Sequence, residues 1–315
     1  MSGPLASRSL GSEACGFCWH GFSLSQCDTS HLGFRVDGSR CPCDNQAMEL
    51  VLSLFPGIDI LGRGFESLGF CVVRGPDKMW DSHIEDFHLP SGRFDGVVGG
   101  PPCQNYSDAN RQRDAAEGDR LVGHFLRAID ESRPKWFVME NVRNVPNVAV
   151  DGYHVQRLDL TDVECGGKQR RLRHIQFGSL DGSIIRPVRT NEGRPVTAAV
   201  LCRMSGEHDR HSRRLERQGC PTLPLRALTS AARARAIGNA VSWPMAVVLA
   251  AAVESRGPVT ELDCRCGCGR VTDTVRFATA SCRKRMERRR RGHVRTVTSA
   301  AASRCTALEQ SRSPR

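Results

Sequence analysis

Short apolar runs alternate with longer segments of helical spacing through the first half of this chain. In order they are Leu50 to Phe55, Asp59 to Gly69, Phe70 to Arg74, Asp95 to Val98, Leu121 to Ser132 and Trp136 to Met139. Strands separated by helices pair as parallel neighbours, and the crossover helices cover the sheet. The pattern predicts an α/β fold with a mostly parallel sheet and helices on both faces, Phe70 to Arg74 being a buried strand that leads to Asp77. Ligands of such sheets bind beyond the C-terminal ends of the strands, so those ends are where function is sought.

Three of these ends carry chemistry. The first run breaks into Pro56-Gly57-Ile58-Asp59 before a helical segment, the strand, glycine turn and helix that open a nucleotide-type cofactor site. Phe94-Asp95-Gly96-Val97-Val98 leads into Gly99-Gly100-Pro101-Pro102-Cys103-Gln104. The prolines there set the path, the glycines admit close approach, and a cysteine stands where a nucleophile would be held. Phe137-Val138-Met139 ends at Glu140-Asn141-Val142, which places an acid at the crevice. Farther on, Gln169-Arg170-Arg171-Leu172-Arg173 precedes a strand-like run to Phe177, and the Arg-x-Arg spacing sets two guanidinium groups on one side of a strand. Gly238-Asn239-Ala240-Val241 leads into an apolar helix from about Pro244.

Phe55-Pro56-Gly57, Pro101-Pro102-Cys103-Gln104, Glu140-Asn141-Val142, the arginine motif and Gly238 to Val241 resemble, in order, the motifs of DNA (cytosine-5)-methyltransferases. The resemblance covers about residues 48 to 256 and is nearest to compact bacterial and phage-type enzymes of restriction-modification systems. It implies a Rossmann-like methyltransferase dependent on S-adenosyl-methionine, acting on double-stranded DNA as a cytoplasmic monomer. Cys103 would be the nucleophile, Glu140 the acid near N3 of the base, and Arg173, with Arg171 beside it, the holder of the cytosine O2. Phe55, Gly57, Ile58, Asp59, Pro102, Leu121 and Asn239 would line the cofactor pocket, with Asp77 at the ribose and Ile84 on the third strand. Where the family usually shows an acid before that isoleucine, His83 stands here, with Asp81 and Asp86 nearby. Two other readings are weighed: an enzyme methylating a transfer-RNA cytosine, and a DNA-binding relative with weak catalysis. An amino-group methyltransferase is disfavoured, because Cys103 and Gln104 occupy its Asn/Asp-Pro-Pro-aromatic loop.

The organisation expected is an N-terminal cysteine-rich, poorly ordered extension (1–47), a catalytic core (48–177), a short arginine-rich target-recognition region (178–225), the C-terminal part of the core (226–256) and a tail (257–315). The recognition region carries Arg186, Arg189, Arg194, Arg203, Arg210, Arg213, Arg214 and Arg217. The net charge is +11, but residues 281–315 hold eleven Lys/Arg against two Glu, so the basicity is concentrated in the tail, which suits phosphates or a solvated appendage. No secretory leader is read at the start, and the helix from Pro244 to Val253 is too short to cross a bilayer, so no membrane is expected. Fifteen cysteines in a reduced compartment read better as thiols or metal ligands than as disulfides. Cys264, Cys266, Cys268 and Cys282 could hold a structural zinc, although the spacing is not that of paired Cys-x-x-Cys knuckles and Ala278 stands where a small bacterial zinc finger has cysteine. Cys15, Cys18, His20, Cys27, His31, Cys41 and Cys43 supply enough ligands for a second site, or belong to the extension.

Overall fold

In the computed structural model, residues 48–107, 110–112, 114–190, 210–220, 223, 225, 228–272, 277–290 and 295–299 are described. The N-terminal cysteines, Arg194 and Arg203 lie outside them. Six strands make one sheet in the order β2-β1-β3-β4-β7-β6. Its members are β1 (Leu50–Leu54), β2 (Cys71–Arg74), β3 (Gly96–Gly99), β4 (Trp136–Asn141), β6 (His154–Thr161) and β7 (Leu172–Ser179). β1 to β4 are mutually parallel, while β7 runs antiparallel to both β4 and β6. After β2 the chain returns past β1 to form β3, so the strand order reverses between β1 and β3, and a crevice opens at their C-terminal ends.

Alternation along the central strands fills two cores. Trp136 and Val138 face the cluster that holds Phe65, Phe177 and Leu249, whereas Phe137 and Met139 face the one that holds Phe125, Leu126 and Ile129. The helices α1 (Ile60–Glu66) and α5 (Trp243–Glu254) cover the first face, and α2 (Ala115–Ser132) the second. α1 and α5 touch closely because Gly64 has no side chain: a Cβ there would come within 2.6 Å of the Ala246 Cβ. Asp114 caps α2 by accepting from the Ala116 and Glu117 N–H groups, and the helix stops at Arg133, in left-handed conformation before Pro134. The helix therefore begins six residues before the apolar spacing does, since its first turn is polar and only the cap marks it. Among the described residues one stretch, Ser230–Glu254, is apolar and long enough to suggest a membrane span, but it breaks into α4 (Ser230–Asn239) and α5 and is 61% buried.

Two expectations change. The run from Phe70 to Arg74 is not a buried strand: β2 is the sheet edge and three of its four residues are exposed. Phe70, just before it, packs into the core, and of β2 itself Val72 packs against that cluster. The described residues beyond 256 are not a detached appendage either. Ile184 bridges to Gly257, Arg186 pairs with Asp263 at 2.6 Å, and Arg270 pairs with Glu164 at 2.6 Å. The four cysteines share the core of Trp136 and Phe177, and the last of them, Cys282, lies on α6 (Ala280–Arg290). Farther on, β8 (Thr296–Thr298) pairs with β5 (Asn147–Ala149). The remaining helix, α3 (Arg210–Arg217), lies against α4.

Candidate active site

A cleft of about 190 Å³ lies at the strand ends where the sheet order reverses. Its walls come from the turn after β1 (Phe55 to Ile58), the loop after β3 (Gly100 to Gln104), the end of β4 (Glu140, Val142), Arg173 on β7, and Asn239 to Val241 after α4. The turn after β1 is sharp: Phe55 and Asp59 both hold left-handed backbone, at φ 53° and 52°, which non-glycine residues rarely adopt and which clusters at ligand sites. Asp77 braces that turn from twenty residues away, one carboxylate oxygen accepting from the Gly57 N–H (2.9 Å) and the other from the Met79 N–H (2.7 Å).

The loop that carries Cys103 is tied at both ends. Asn141 donates from Nδ2 to the Pro101 carbonyl (2.9 Å), which joins the ends of β3 and β4, and the N–H groups of Tyr106 and Ser107 both donate to the Cys103 carbonyl (3.0 Å). Gly100 leaves the space between this loop and Glu140 open, since a Cβ there would lie 3.1 Å from Glu140 Oε2. Glu140 is buried and meets Arg173 Nε through Oε1 at 2.6 Å. Burial pushes the Cys103 thiol above the ordinary 9.0 and Glu140 adds to it, while Arg173 and Arg171 pull it back without cancelling the rise. The resting sulfur is thus a thiol beside an ion pair.

Arg171 stands behind this wall rather than on it. Its Nη2 donates to the carbonyls of Gly238 (2.8 Å) and Ala240 (2.6 Å), clamping the end of α4 to the arginine segment, while Nε and Nη1 are buried with no hydrogen-bond partner. Burial pulls its pKa down, yet a guanidinium stays charged at neutral pH. Asp162 fixes the same segment, accepting from the Gln169 N–H (2.7 Å) and from Ser242 Oγ at the start of α5.

The cleft therefore brings together Cys103, Glu140, Arg173, Phe55, Gly57, Ile58, Asp77, Pro102 and Asn239. Three expected lining residues are elsewhere. Asp59 is the N-cap of α1, holding the Gly62 N–H and Ser53 Oγ and pairing with Arg74. Ile84 is in the core under α2, and Leu121 is buried on α2 itself. An apolar side chain next to a motif satisfies a core as readily as a pocket, and an Asp three residues before a helix N–H caps it. Met79, Val142 and Ala236 line the cleft and were not read from the sequence. For Met79 the available signal was its place two residues after Asp77.

A second candidate centre is the cysteine cluster. Cys264, Cys266, Cys268 and Cys282 are buried, with sulfurs all within 4.8 Å of one another. Cys264 and Cys266 are 3.5 Å apart and Cys268 and Cys282 3.7 Å, too far for disulfides. The Ala278 N–H reaches Cys264 Sγ (3.2 Å) and Thr279 Oγ1 reaches Cys282 Sγ (3.1 Å), so at Ala278 it is the backbone that attends the cluster. Four converging buried thiols could hold a metal ion.

The family model of C-5 cytosine-specific DNA methylases matches residues 76–218, the stretch holding Cys103, Glu140, Arg171 and Arg173. The Type II methyltransferase M.AgeI of Thalassovita gelatinovora is 28% identical over 174 residues, which cover 43% of this chain and 41% of that protein. Type II methyltransferase M.HindV of Haemophilus influenzae is 29% identical over 161 residues, 41% of this chain and 53% of its own length. The chain thus spans about half or less of these relatives. A solved structure of the Entamoeba histolytica methyltransferase EhMeth aligns with 65% of this chain and 97% of that one, at 13% identity and a TM-score of 0.44.

Proposed function

We infer that this chain, which belongs to the C-5 cytosine-specific DNA methylase family, transfers a methyl group from S-adenosyl-methionine to C5 of cytosine in DNA. The observation that carries this is the meeting of Cys103 with the Glu140–Arg173 pair in the cleft that also holds the turn after β1.

The residues present suit the cofactor. Phe55, Ile58 and Met79 offer apolar surface, and Asp77, each of whose oxygens accepts one N–H, keeps acceptor capacity for a ribose hydroxyl. S-adenosyl-methionine supplies an electrophilic methyl group on a sulfonium sulfur. The protein makes C5 able to attack it. The Cys103 thiol gives up its proton to solvent and adds through sulfur to C6, while Glu140, having taken a proton from solvent, delivers it to N3, so the ring electrons gather at C5 as an enamine. Arg173 steadies Glu140 and the O2 side of the ring, and the unpaired nitrogens of Arg171 add positive field behind it. When a base removes the C5 proton, the sulfur–C6 bond breaks, Cys103 leaves as thiolate and N3 returns its proton. A cytosine in a duplex reaches Cys103 only after being turned out of the stack.

The four cysteines suit a structural zinc. A tetrahedral thiolate site with zinc–sulfur bonds of about 2.3 Å places sulfurs roughly 3.8 Å apart, against 3.5 and 3.7 Å for two of the pairs here. Four protein ligands leave no open position, so its role is in folding and not in methyl transfer.

Bisulfite sequencing of DNA from a methylation-free host expressing the chain tests the reading. Protected cytosines in a recurring context are expected, and complete conversion everywhere would refute it. Glu140→Gln separates the two effects of that carboxylate. Without the negative charge the Cys103 pKa falls, so iodoacetamide labels it faster near pH 8 than in wild type, while methylation slows by roughly 10²-fold because the amide delivers no proton. In the wild type, labelling should keep rising with pH beyond the ordinary thiol value.

A further inference from the structure

A second cleft, of about 450 Å³, opens between the loop after Glu140, the strands β6 and β7, and α6. Arg143, Arg157, Lys284, Arg285 and Arg288 line it against a single carboxylate, Asp159. That carboxylate is taken: His174 Nδ1 lies 2.7 Å from one oxygen and Arg285 Nη2 2.6 Å from the other. Arg157 donates to the Val148 carbonyl. Arg143 adds a longer-range attraction to Asp159, and the side chains of Arg143, Lys284 and Arg288 have no hydrogen bond or close ion pair with a described residue. Cations gathered in one concavity focus a positive field, and a ligand of dense negative charge relieves their repulsion.

The arrangement of α6 is not accidental to this. Ser281, Lys284, Arg285 and Arg288 follow at i, i+3, i+4 and i+7, one face of the helix, and that face lines the cleft. Cys282 lies about a quarter turn away and is buried in the four-sulfur cluster, so the cluster sets the rotation at which α6 presents its cations. The cleft also neighbours the catalytic one along the chain: Arg143 comes three residues after Glu140, and His174 directly follows Arg173.

We propose that this cleft binds the sugar-phosphate backbone of duplex DNA beside the base being methylated, with the cysteine cluster holding α6 in place as one wall. The proposal rests on the methylase reading above. Phosphate contacts position a duplex without reading its sequence, which complements a short recognition region.

The test measures binding of a fluorescein-labelled duplex of arbitrary sequence to the full chain as salt is raised. A triple variant, Arg143→Gln, Lys284→Gln and Arg288→Gln, should bind roughly 10- to 100-fold more weakly, with a log–log salt slope shallower by about two to three. Its affinity for S-adenosyl-methionine and its melting temperature should match wild type. Lys284→Gln alone, an exposed change, should show a smaller loss in the same direction should the triple variant misfold. Arg283→Gln removes the same charge from the opposite side of α6, away from the cleft, and should change little. Equal losses for Arg283→Gln and Lys284→Gln would overturn the cleft in favour of diffuse attraction, and an unaltered triple variant would overturn it outright. Tighter wild-type binding to a structured RNA than to the duplex would overturn the DNA assignment. A duplex carrying 5-fluorocytosine keeps the two readings apart. Covalent trapping with normal binding by the triple variant sinks the cleft alone, whereas cleft-dependent binding without trapping sinks the methylase reading alone.

Discussion

Cys103→Ser is expected to lose methyl transfer by on the order of 10⁴-fold or more, while binding of S-adenosyl-methionine stays near wild type. A serine hydroxyl is far less acidic than a thiol, and nothing in the site is placed to ionise it: the closest carboxylate, Glu140, is held by Arg173 and raises the pKa of its neighbour. The loop itself should persist, since it is fixed through the Pro101 and Cys103 carbonyls and not through the sulfur. Wild-type protein should form a covalent complex with a 5-fluorocytosine duplex, visible as a shifted band on a denaturing gel, because fluorine cannot leave C5 as a proton does. Trapping by the Cys103→Ser variant would remove Cys103 from the reaction.

Deleting residues 257–315 should unfold or aggregate the remainder, or lower its melting temperature by about 10 °C or more, equivalent to a loss of about 3 kcal/mol or more for a core of this size. The cut strips Cys264, Cys266, Cys268 and Cys282 from the cluster that also holds Trp136, Phe177 and Ile185, takes Asp263 from Arg186, and takes Arg270, one of its two arginine partners, from Glu164. Leaving such groups uncovered or unpaired costs more than losing an exposed tail. Cys264→Ser with Cys282→Ser should have a similar but smaller effect and should abolish bound zinc, measured as one ion per wild-type chain by elemental analysis. A truncated protein that melts like wild type would make the segment an appendage after all. Wild-type protein free of metal, with an unchanged melt in the double variant, would leave the cysteines as ordinary core.

Much of the candidate site's placement was legible in the sequence because it is local. Cys103 and Glu140 sit at the ends of apolar strands, and an open α/β sheet exposes those ends whatever its remaining details, so the runs before them were enough to place them at a crevice. The same holds for the turn after β1, where glycine and proline mark a break in the pattern. Residue type did not settle direction. Asp59 reads as a pocket residue but points into its own helix start, and Ile84 and Leu121 fill the core, because an apolar side chain gains as much from one dry surface as from another.

Contacts distant in sequence belonged to the tertiary structure. That Arg171 clamps the end of α4, nearly seventy residues on, follows from the packing of α4 and α5 against the sheet. The tail read as an appendage since its arginines promise little burial. What anchors it is a set of four cysteines whose irregular spacing hides their convergence until the chain folds back on Ile184 and Arg186. By itself the sequence determined the alternating fold and the residues that present chemistry at its strand ends, because both rest on periodicity and neighbours in the chain. Only the tertiary structure decided which of those side chains face the cleft, and that the cysteine segment is part of the core, because burial is shared among segments that no local pattern relates.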